Sequence, residues 1–368
     1  MQNIAFNDPY NTDSKHTREE GRRMPYYRIV VTRHGGPEVL HFQEEELPEP
    51  APGMVRIRVL TCGVSFTDVL IREGTYPGAP SPPFTSGYNL VGVVDRVGEG
   101  VSTLSPGDPV AALTVVGAYT QYLCLPEREP IRLPTGLDPV AAACLVMNYV
   151  TAYQMLHRIA HVQPGERILI QGATGGVGTA FLELGRLAGL EMYGTTSTAR
   201  TALVTQLGGV PIDYRREDFV RRIAELTGDG VDVVFDGIGG EVARRSYRTL
   251  RKGGRLVMYG HYSTLQHGRK DLLKVVTFYV NAAAVFVRNL VPGRKRVLLY
   301  QIAKLKERHP DWYREDLLHL MALLSQGKIA PIVAERIPLV EARRAHELLG
   351  KGGVSGTIVL LCQESAPS

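Results

Sequence analysis

The chain has 368 residues, of which 44% are hydrophobic and 21% are charged. This balance is typical of globular proteins and excludes wholesale disorder, and at roughly 150 residues per domain the length predicts two domains. The net charge of +5 is spread thinly along the chain and gives no indication of nucleic-acid binding.

The four cysteines, Cys62, Cys124, Cys144 and Cys362, are far apart and form no Cys-x-x-Cys pair. They predict neither a disulfide scaffold nor a structural zinc lobe, and they fit a reduced, cytoplasmic setting. Charges interrupt the N-terminal segment, so it does not read as a secretory signal. The longest apolar stretch, residues 275–287, has about 13 residues, whereas a membrane-spanning helix needs about 20. The sequence therefore predicts no membrane span.

Residues 1–23 are polar and charged, which predicts a flexible N-terminal tail. Residues 24–147 are assigned to a first domain, in which short Val- and Ile-rich segments alternate with Gly- and Pro-containing turns. The segments are YYRIVVT, VRIRVLTCGV, NLVGVVDRVG and PVAALT. This pattern indicates an antiparallel β-barrel or sandwich.

Residues 148–290 alternate strictly between strands and helices, which predicts a doubly wound parallel sheet. The predicted strands are RILIQG, EMYGTT, VPIDY, VDVVFD and RLVMYG. Residues 291–368 are predicted to contain two helices, VLLYQIAKLKER and DLLHLMALLSQG, and to end in the strand GTIVLLC, which can return to the first domain. The fold class is therefore α/β, with a β domain and a Rossmann-type domain.

The first of these strands runs directly into a glycine-rich turn that opens a helix. Glycines in this context permit a tight turn and let a pyrophosphate approach the amides at a helix N terminus. The spacing is A-x-G-x-x-G, with an alanine at the first glycine position of the usual fingerprint. A flexible glycine-rich turn between packed elements is the alternative. The residues predicted to bind the cofactor are Ala173, Thr174, Gly175, Gly176, Val177 and Gly178.

The end of the second strand predicts which dinucleotide is bound. NAD sites place an acidic residue about 20 residues beyond the glycines, on the ribose hydroxyls, and none is present here. Thr196, Ser197 and Arg200 occupy this region instead, and Tyr214 follows the third strand. Since a guanidinium pairs bidentately with phosphate, the pattern favours NADPH. Solvated surface arginines are the alternative.

This loop, together with GVSFTDVLIREGTYP, PFTSGYNLVGVVDRVGEGV and SPGDPVAAL, resembles the medium-chain dehydrogenase/reductase superfamily. The closest pattern is the zinc-independent quinone oxidoreductase branch, which includes zeta-crystallin-like and vesicle amine transport-like proteins. The resemblance covers about residues 26–361. It implies a GroES-like domain, a Rossmann domain inserted after it, an active-site cleft between them and commonly a homodimer. Residues 275–287 are a candidate edge strand for such a dimer, and an internal position is the alternative.

The resemblance also implies that no catalytic metal is present. Zinc alcohol dehydrogenases have a cysteine ligand where this sequence has Ser65, and a His-Glu pair where it has Tyr88 and Asn89. Serine and asparagine are poor ligands for tetrahedral zinc. Without that Lewis acid, hydride transfer to a conjugated acceptor is the expected chemistry, because the negative charge spreads over a quinone or an enone.

By the same resemblance, Ser65 lies beside the nicotinamide and Thr151 contacts its carboxamide. Tyr76 stands where related enoyl thioester reductases place a tyrosine proposed to donate a proton, and a packing role is the alternative. Tyr262 and Ser263 are expected as contacts in the cofactor cleft.

The expected function is NADPH-dependent, zinc-independent transfer of hydride to a quinone or an α,β-unsaturated carbonyl. An enoyl thioester reductase of lipid or polyketide synthesis is one alternative. Its substrate would need a basic entrance, for which Arg72, Arg269 and Lys270 are candidates. A protein that binds NADPH and a partner without turnover is the alternative of another class.

Overall fold

The computed structural model of the chain describes residues 25–76, 78–260 and 295–363. Four features discussed above lie outside these residues: the tail at residues 1–23, the pair Tyr262 and Ser263, the pair Arg269 and Lys270, and the stretch 275–287.

The β domain contains two sheets. One has three strands in the order β2-β1-β4, and the other has seven, in the order β15-β16-β3-β5-β6-β8, with β7 pairing with β3. The four segments predicted as strands correspond to β1, β3, β5 and β6. The strands are β1 (Pro25–Val31), β2 (Leu40–Glu46), β3 (Met54–Val64), β4 (Phe84–Thr85), β5 (Asn89–Val97), β6 (Pro109–Leu113), β7 (Tyr122–Pro126), β8 (Ile131–Arg132), β15 (Val333–Pro338) and β16 (Thr357–Leu361).

Alternation of side chains explains the central strand of this domain. Val55, Ile57 and Val59 are completely buried, and the residues between them are arginines. Successive side chains of a strand point to opposite faces, so one face of β3 contributes to the core. Burying each such side chain stabilises the fold by about 1.5–3 kcal/mol.

The second domain contains a six-stranded parallel sheet in the order β11-β10-β9-β12-β13-β14. This is the doubly wound arrangement predicted from the sequence, and the strand order reverses between β9 and β12. Ligands of such sheets bind at the carboxyl ends of the strands near the point of reversal. The strands are β9 (Arg167–Ile170), β10 (Glu191–Thr196), β11 (Val210–Asp213), β12 (Val231–Asp236), β13 (Leu250–Met258) and β14 (Arg296–Leu299).

The described α-helices connect these strands and cover the sheets. Two of them follow β14 directly, and one near the C terminus precedes β16. The helices are Phe66–Arg72, Pro139–Ile159, Gly176–Leu187, Thr201–Gln206, Phe219–Thr227, Gly240–Thr249, Ile302–Arg308, Pro310–Ser325 and Ala342–Lys351.

The parallel sheet extends further along the chain than the sequence predicted. Strand β14 pairs in parallel with β13, although it lies beyond residue 290 and its residues were interpreted as the start of a helix. A short apolar run such as Val297–Leu299 fits a buried strand and a helix equally well by periodicity, which explains the error. The polar helix Gly240–Thr249 was also not predicted.

The helix Pro139–Ile159 joins the two domains and includes two π-helical turns, Leu145–Tyr149 and Met155–Ile159. Among the described helices it alone is long and apolar enough to cross a membrane, but 83% of its most apolar window is buried inside the protein. A core helix meets the same criterion of length and composition. Its π-turns are of interest because such turns are frequent at functional sites.

The last strand returns to the first domain, as predicted. Strand β16 pairs antiparallel with β3, with Leu360 opposite Cys62. The turn before β16 crosses to the Rossmann domain, where the amide of Gly356 donates to the Thr174 carbonyl at 2.9 Å. The two domains therefore meet at the glycine-rich loop.

Candidate active site and cofactor cleft

A cavity of about 1470 Å³ lies at the carboxyl ends of the parallel strands and is bounded by the β domain on its other side. Most small-molecule sites have volumes of about 300–1000 Å³, so this cleft is large enough for a dinucleotide and an acceptor. Most of the described residues predicted for the site line it: Ser65, Tyr76, Thr151, Thr174, Gly175, Gly176, Val177, Gly178, Thr196, Ser197, Arg200 and Tyr214.

Two glycines of the glycine-rich loop, Gly176 and Gly178, have no room for a side chain. A Cβ atom on Gly178 would lie 2.4 Å from the Gly172 carbonyl oxygen, and one on Gly176 would lie 2.5 Å from Asn148 Nδ2. The helix that begins at Gly176 leaves the amides of its first turn without intrahelical acceptors. These amides and the helix dipole make a suitable site for a pyrophosphate.

Ala173 is the exception among the predicted loop residues. It is completely buried, its amide donates to the Thr195 carbonyl at 3.0 Å, and it does not line the cleft. A Cβ atom on Gly194 would lie 2.5 Å from its methyl group. Ala173 therefore packs the loop against β10 and has no direct role in holding a ligand.

Hydroxyl and guanidinium groups lie beside the glycine-rich loop in the cleft. Thr196 and Ser197 are buried, and Thr196 Oγ1 lies 3.3 Å from Thr174 Oγ1. Arg200 Nη1 lies 3.5 Å from Thr174 Oγ1 and 3.5 Å from the Val354 carbonyl. The arginine is therefore held against the loop, and its guanidinium lines the cleft.

The acidic residues near this end are engaged by the protein. Asp213, at the end of β11, accepts hydrogen bonds from the Thr198 hydroxyl and from the Arg215 amide. Glu217 lines the cleft, which the sequence did not reveal, but it accepts from the Asp213 amide at 3.2 Å and pairs with Arg222 at 3.2 Å. At the end of β10, where an NAD site has its carboxylate, residues 196–200 include no acidic residue.

Ser65 begins the helix Phe66–Arg72 and is locked by Asp68. The Ser65 hydroxyl donates to Asp68 Oδ2 at 2.6 Å, the Ser65 amide donates to the same atom at 2.8 Å, and the Asp68 amide donates to Ser65 Oγ at 3.3 Å. Burial raises the pKa of Asp68 from 3.8 to about 6, although the hydrogen bonds from Ser65 oppose this shift. Asp68 thus orders the loop that presents Ser65 to the cleft.

Tyr76 lines the cleft and contacts two polar side chains. Gln301 Nε2 donates to the Tyr76 hydroxyl at 2.8 Å, and the Tyr88 hydroxyl lies 3.4 Å away. Tyr88 is completely buried, and this burial, with the neighbouring Tyr76, raises the pKa of its phenol. Both residues belong to the lining of the cleft.

Thr151 lies in the α-helical segment between the two π-turns of the helix Pro139–Ile159. It is 4% exposed, it lines the cleft, and its Oγ1 has no hydrogen-bond partner of ordinary geometry among the described residues. Tyr300, which also lines the cleft, donates its hydroxyl proton to Gln154 Oε1 at 2.8 Å. A buried hydroxyl without a partner is costly, which suggests that a ligand supplies one.

No group of three or more His, Cys, Asp or Glu side chains that could hold a metal ion occurs among the described residues. At the position of the first expected zinc ligand, the Ser65 hydroxyl is bound to Asp68. Asn89 is the second residue of the pair that replaces the His-Glu pair of zinc alcohol dehydrogenases. Its Oδ1 accepts a hydrogen bond from the Gly63 amide at 3.2 Å.

Arg72 does not have the position expected of an entrance residue. Its side chain is only 2% exposed, and it donates to the Gly35 carbonyl, to Glu73 and to His346. Burial lowers the pKa of this guanidinium. Arg72 therefore joins elements of the β domain and is not available to a substrate.

Several residues of the cleft were not proposed as site residues from the sequence. Among those that line it with polar side chains are Tyr88, Asn148, Tyr300, Gln301, Lys304 and Arg308. Tyr300 and Gln301 directly follow β14, and the ends of parallel strands are where site residues gather. Predicting that strand correctly would have identified both of them.

Comparison with known proteins agrees with this architecture. Residues 51–135 match the family described as the alcohol dehydrogenase GroES-like domain, and residues 207–360 match the one described as zinc-binding dehydrogenase. The 2-haloacrylate reductase of a Burkholderia species is 32% identical over 342 residues, which cover 91% of this chain and 98% of that protein. The synaptic vesicle membrane protein VAT-1 homolog of Danio rerio is 30% identical, over 91% of this chain and 70% of that protein.

A solved structure matches both domains together. Escherichia coli quinone oxidoreductase, in complex with NADPH, superimposes with a TM-score of 0.79 at 29% identity, over 91% of this chain and 99% of that chain. The GroES-like β domain, the Rossmann sheet and the sequence relatives agree, and the chain belongs to the quinone oxidoreductase branch of the medium-chain dehydrogenase/reductase superfamily.

Proposed function

We propose that this chain is an NADPH-dependent, zinc-independent reductase of quinones or α,β-unsaturated carbonyl compounds. The observation that supports this most directly is one cleft that joins the glycine-rich loop and Arg200 to Ser65, Thr151 and Tyr76. The quinone oxidoreductase of Rattus norvegicus and the 2-haloacrylate reductase of a Burkholderia species, both similar to this chain, are named for acceptors of this chemical type.

The cleft contains features that fit a dinucleotide. The free amides of Gly176, Val177 and Gly178 suit the pyrophosphate, and side chains at Gly176 and Gly178 would meet neighbouring atoms. Arg200 suits a 2′-phosphate. The Thr151 hydroxyl, which has no hydrogen-bond partner among the described residues, suits the carboxamide group of the nicotinamide. NADPH, when bound, supplies the hydride.

The residues near the acceptor supply positioning and a proton. Hydride addition to a conjugated acceptor leaves negative charge on the substrate oxygen, which a hydrogen-bond donor must stabilise in the absence of a metal. The Tyr76 oxygen accepts a hydrogen bond from Gln301, so its own proton is available to the substrate or to Tyr88. In our proposal the Tyr76 hydroxyl donates to the substrate, and Ser65 fixes the adjacent wall of the cleft.

A thioester-linked acceptor is the second candidate. Lys304 and Arg308 line the cleft and are exposed at its edge. In this second candidate function, Lys304 and Arg308 take the role expected of Arg72 and meet the phosphate of the substrate. The alternative of another class, a protein that binds NADPH and a partner without turnover, predicts binding in the absence of reduction. A cytoplasmic homodimer remains part of the proposal.

Loss of NADPH absorbance tests these functions. We expect turnover with an ortho-quinone, a 2-alkenal or an alkenone, faster with NADPH than with NADH and unchanged after dialysis against a chelator. A preference for an enoyl thioester would favour the second candidate. NADPH binding without oxidation by any of these acceptors would contradict both reductase functions and favour the binding protein.

A further inference from the structure

A buried chain of hydrogen bonds ends at the amide of Gly172, at the start of the glycine-rich loop. The Ser246 hydroxyl donates to Asp236 Oδ2 at 2.9 Å, and Gln171 Nε2 donates to Ser246 Oγ at 3.0 Å. The Thr195 hydroxyl donates to Gln171 Oε1 at 2.7 Å, and the Gly172 amide donates to Thr195 Oγ1 at 3.0 Å. Gln171, Gly172 and Thr195 line the cleft, whereas Asp236 and Ser246 do not. The chain therefore connects the wall of the cleft to a carboxyl group behind it.

The same carboxyl group orders a second turn of the cleft. Asp236 is the last residue of β12, and its Oδ1 accepts hydrogen bonds from the amides of Ile238 and Gly239, both at 2.8 Å. Gly237 and Ile238 line the cleft, and Gly239 directly precedes the helix Gly240–Thr249. Asp236 therefore holds the turn after β12 directly and the loop after β9 through the chain.

Asp236 is completely buried. Among the described residues, the groups that bind its carboxyl oxygens are two amides and one hydroxyl, and none of them is a cation. Burial raises the pKa of this carboxyl group, and the hydrogen bonds from Gly239, Ser246 and Ile238 oppose the rise. A buried polar network in which every member has a partner makes its surroundings rigid.

The direction of the chain follows from the carboxylate. Because both oxygens of Asp236 accept, the Ser246 proton is used and Ser246 Oγ accepts from Gln171 Nε2. The Gln171 amide then turns its Oε1 toward the Thr195 hydroxyl and accepts its proton. Thr195 Oγ1 is left to accept from the Gly172 amide. Each proton of the chain therefore has one acceptor.

We propose that Asp236 is a positioning residue for the dinucleotide, which holds the Gly172 amide and the turn at residues 237–239 in the arrangement that binds NADPH. The inference rests on the proposed function, because it takes the cleft to bind NADPH. Asp236 does not line the cleft itself. It acts by fixing two turns before the ligand arrives, which lowers the entropic cost of binding.

Asp236→Asn keeps the shape of the side chain and introduces an NH₂ group into the chain. If the asparagine oxygen stays on the two amides, its Nδ2 meets Ser246 Oγ, which already accepts from Gln171, and the Ser246 proton loses its acceptor. Reversal of the Gln171 amide only moves this conflict to Thr195. Isothermal titration calorimetry on the full chain measures the affinity. We expect the Kd for NADPH to rise about tenfold, the effect of one lost buried hydrogen bond.

Ser246→Ala breaks the same chain by removing a single hydroxyl, so it serves if the Asp236 variant does not fold. It should also raise the Kd for NADPH. Because both substitutions interrupt one chain, the double variant should bind NADPH no more weakly than the weaker of the two single variants. Two residues that act separately would give losses of affinity that multiply.

Asp232→Asn is the matched control, since Asp232 is a buried carboxylate at the other end of the same strand. It accepts from the Arg167 amide at 2.9 Å and pairs with Arg251, and it does not line the cleft. This substitution should lower the melting temperature and leave the Kd for NADPH unchanged. A purely structural role of Asp236 predicts the same result for Asp236→Asn.

An unchanged Kd in folded Asp236→Asn or Ser246→Ala would overturn the inference, and so would losses that multiply in the double variant. An equal rise in Kd in Asp232→Asn would also overturn it. In each of these cases the unsubstituted protein still binds NADPH and the proposed function stands. If the unsubstituted protein does not bind NADPH, the proposed function fails and this inference fails with it.

Discussion

The side-chain amide of Gln301 donates a hydrogen bond to the hydroxyl of Tyr76 at 2.8 Å, although the two residues are 225 positions apart in the chain. Gln301 follows the last strand of the Rossmann sheet, and Tyr76 lies in the loop after the helix Phe66–Arg72 of the β domain. The contact therefore links the two domains at the point where an acceptor would bind. It also orients the phenol, because the oxygen accepts and only the proton is left to donate.

Tyr76→Phe should lower kcat for an enone by about 100-fold or more, the usual contribution of a positioned acid. The affinity for NADPH should change little, because Tyr76 lies away from the glycine-rich loop. Steady-state rates and calorimetric binding measure the two effects. Tyr27→Phe is the control, since Tyr27 bonds to Glu44 on the surface of the β domain. Unchanged kcat in Tyr76→Phe would assign this tyrosine to packing.

Arg200→Ala should raise the KM for NADPH by about 10–100-fold, because a charged hydrogen bond to phosphate contributes about 1.5–3 kcal/mol. The KM for NADH, which has no 2′-phosphate, should change by less than about threefold. Arg221→Ala is a suitable control, as Arg221 is exposed and pairs with Glu225 on the helix Phe219–Thr227. An equal increase in KM for both cofactors would mean that Arg200 supports the loop and does not bind the 2′-phosphate.

Gly178→Ala should destabilise the protein by about 1–3 kcal/mol or more and abolish NADPH binding, because the new methyl group would lie 2.4 Å from the Gly172 carbonyl oxygen. Gly175→Ala is the matched comparison in the same loop, since its Cβ would meet only the Gly172 oxygen, at 3.6 Å. The melting temperature of Gly175→Ala, measured by thermal unfolding, should change little. Similar losses of stability in both variants would contradict the steric argument.

The buried Asp68 predicts a pH-dependent stability. Burial raises the pKa of Asp68 from 3.8 to about 6, so the folded state favours the protonated acid. Its contribution to the free energy of unfolding is therefore complete below about pH 4 and is lost as the pH rises through about 6. The loss is on the order of 3 kcal/mol.

Urea unfolding between pH 4 and pH 7.5 measures this effect. The stability of the unsubstituted protein relative to Asp68→Asn should fall across that range, since asparagine does not titrate. A constant difference between the two proteins would show that Asp68 ionises normally. In that case the hydrogen bonds from Ser65, which lower the pKa of Asp68, would cancel the effect of burial, which raises it.

The sequence alone was sufficient to predict the two domains, the parallel sheet and the glycine-rich loop. These features depend on local patterns, namely alternating apolar residues, turn residues and the position of glycines between a strand and a helix. Thr174, Gly175, Gly176, Val177 and Gly178 line the cleft as predicted. Ala173 does not line the cleft, because its amide donates to the Thr195 carbonyl and it packs against β10. Its position in the motif does not reveal this contact.

The tertiary structure decided how distant residues meet. Tyr76 with Gln301, and Gln154 with Asp316, are contacts between segments that share no local pattern. Arg72 carries a charge that suggested a surface position, but its packing against Gly35 and His346 buries it. Periodicity and motif spacing determine which elements form and where a cofactor loop lies. The polarity and the accessibility of each side chain depend on neighbours that only the folded chain brings together.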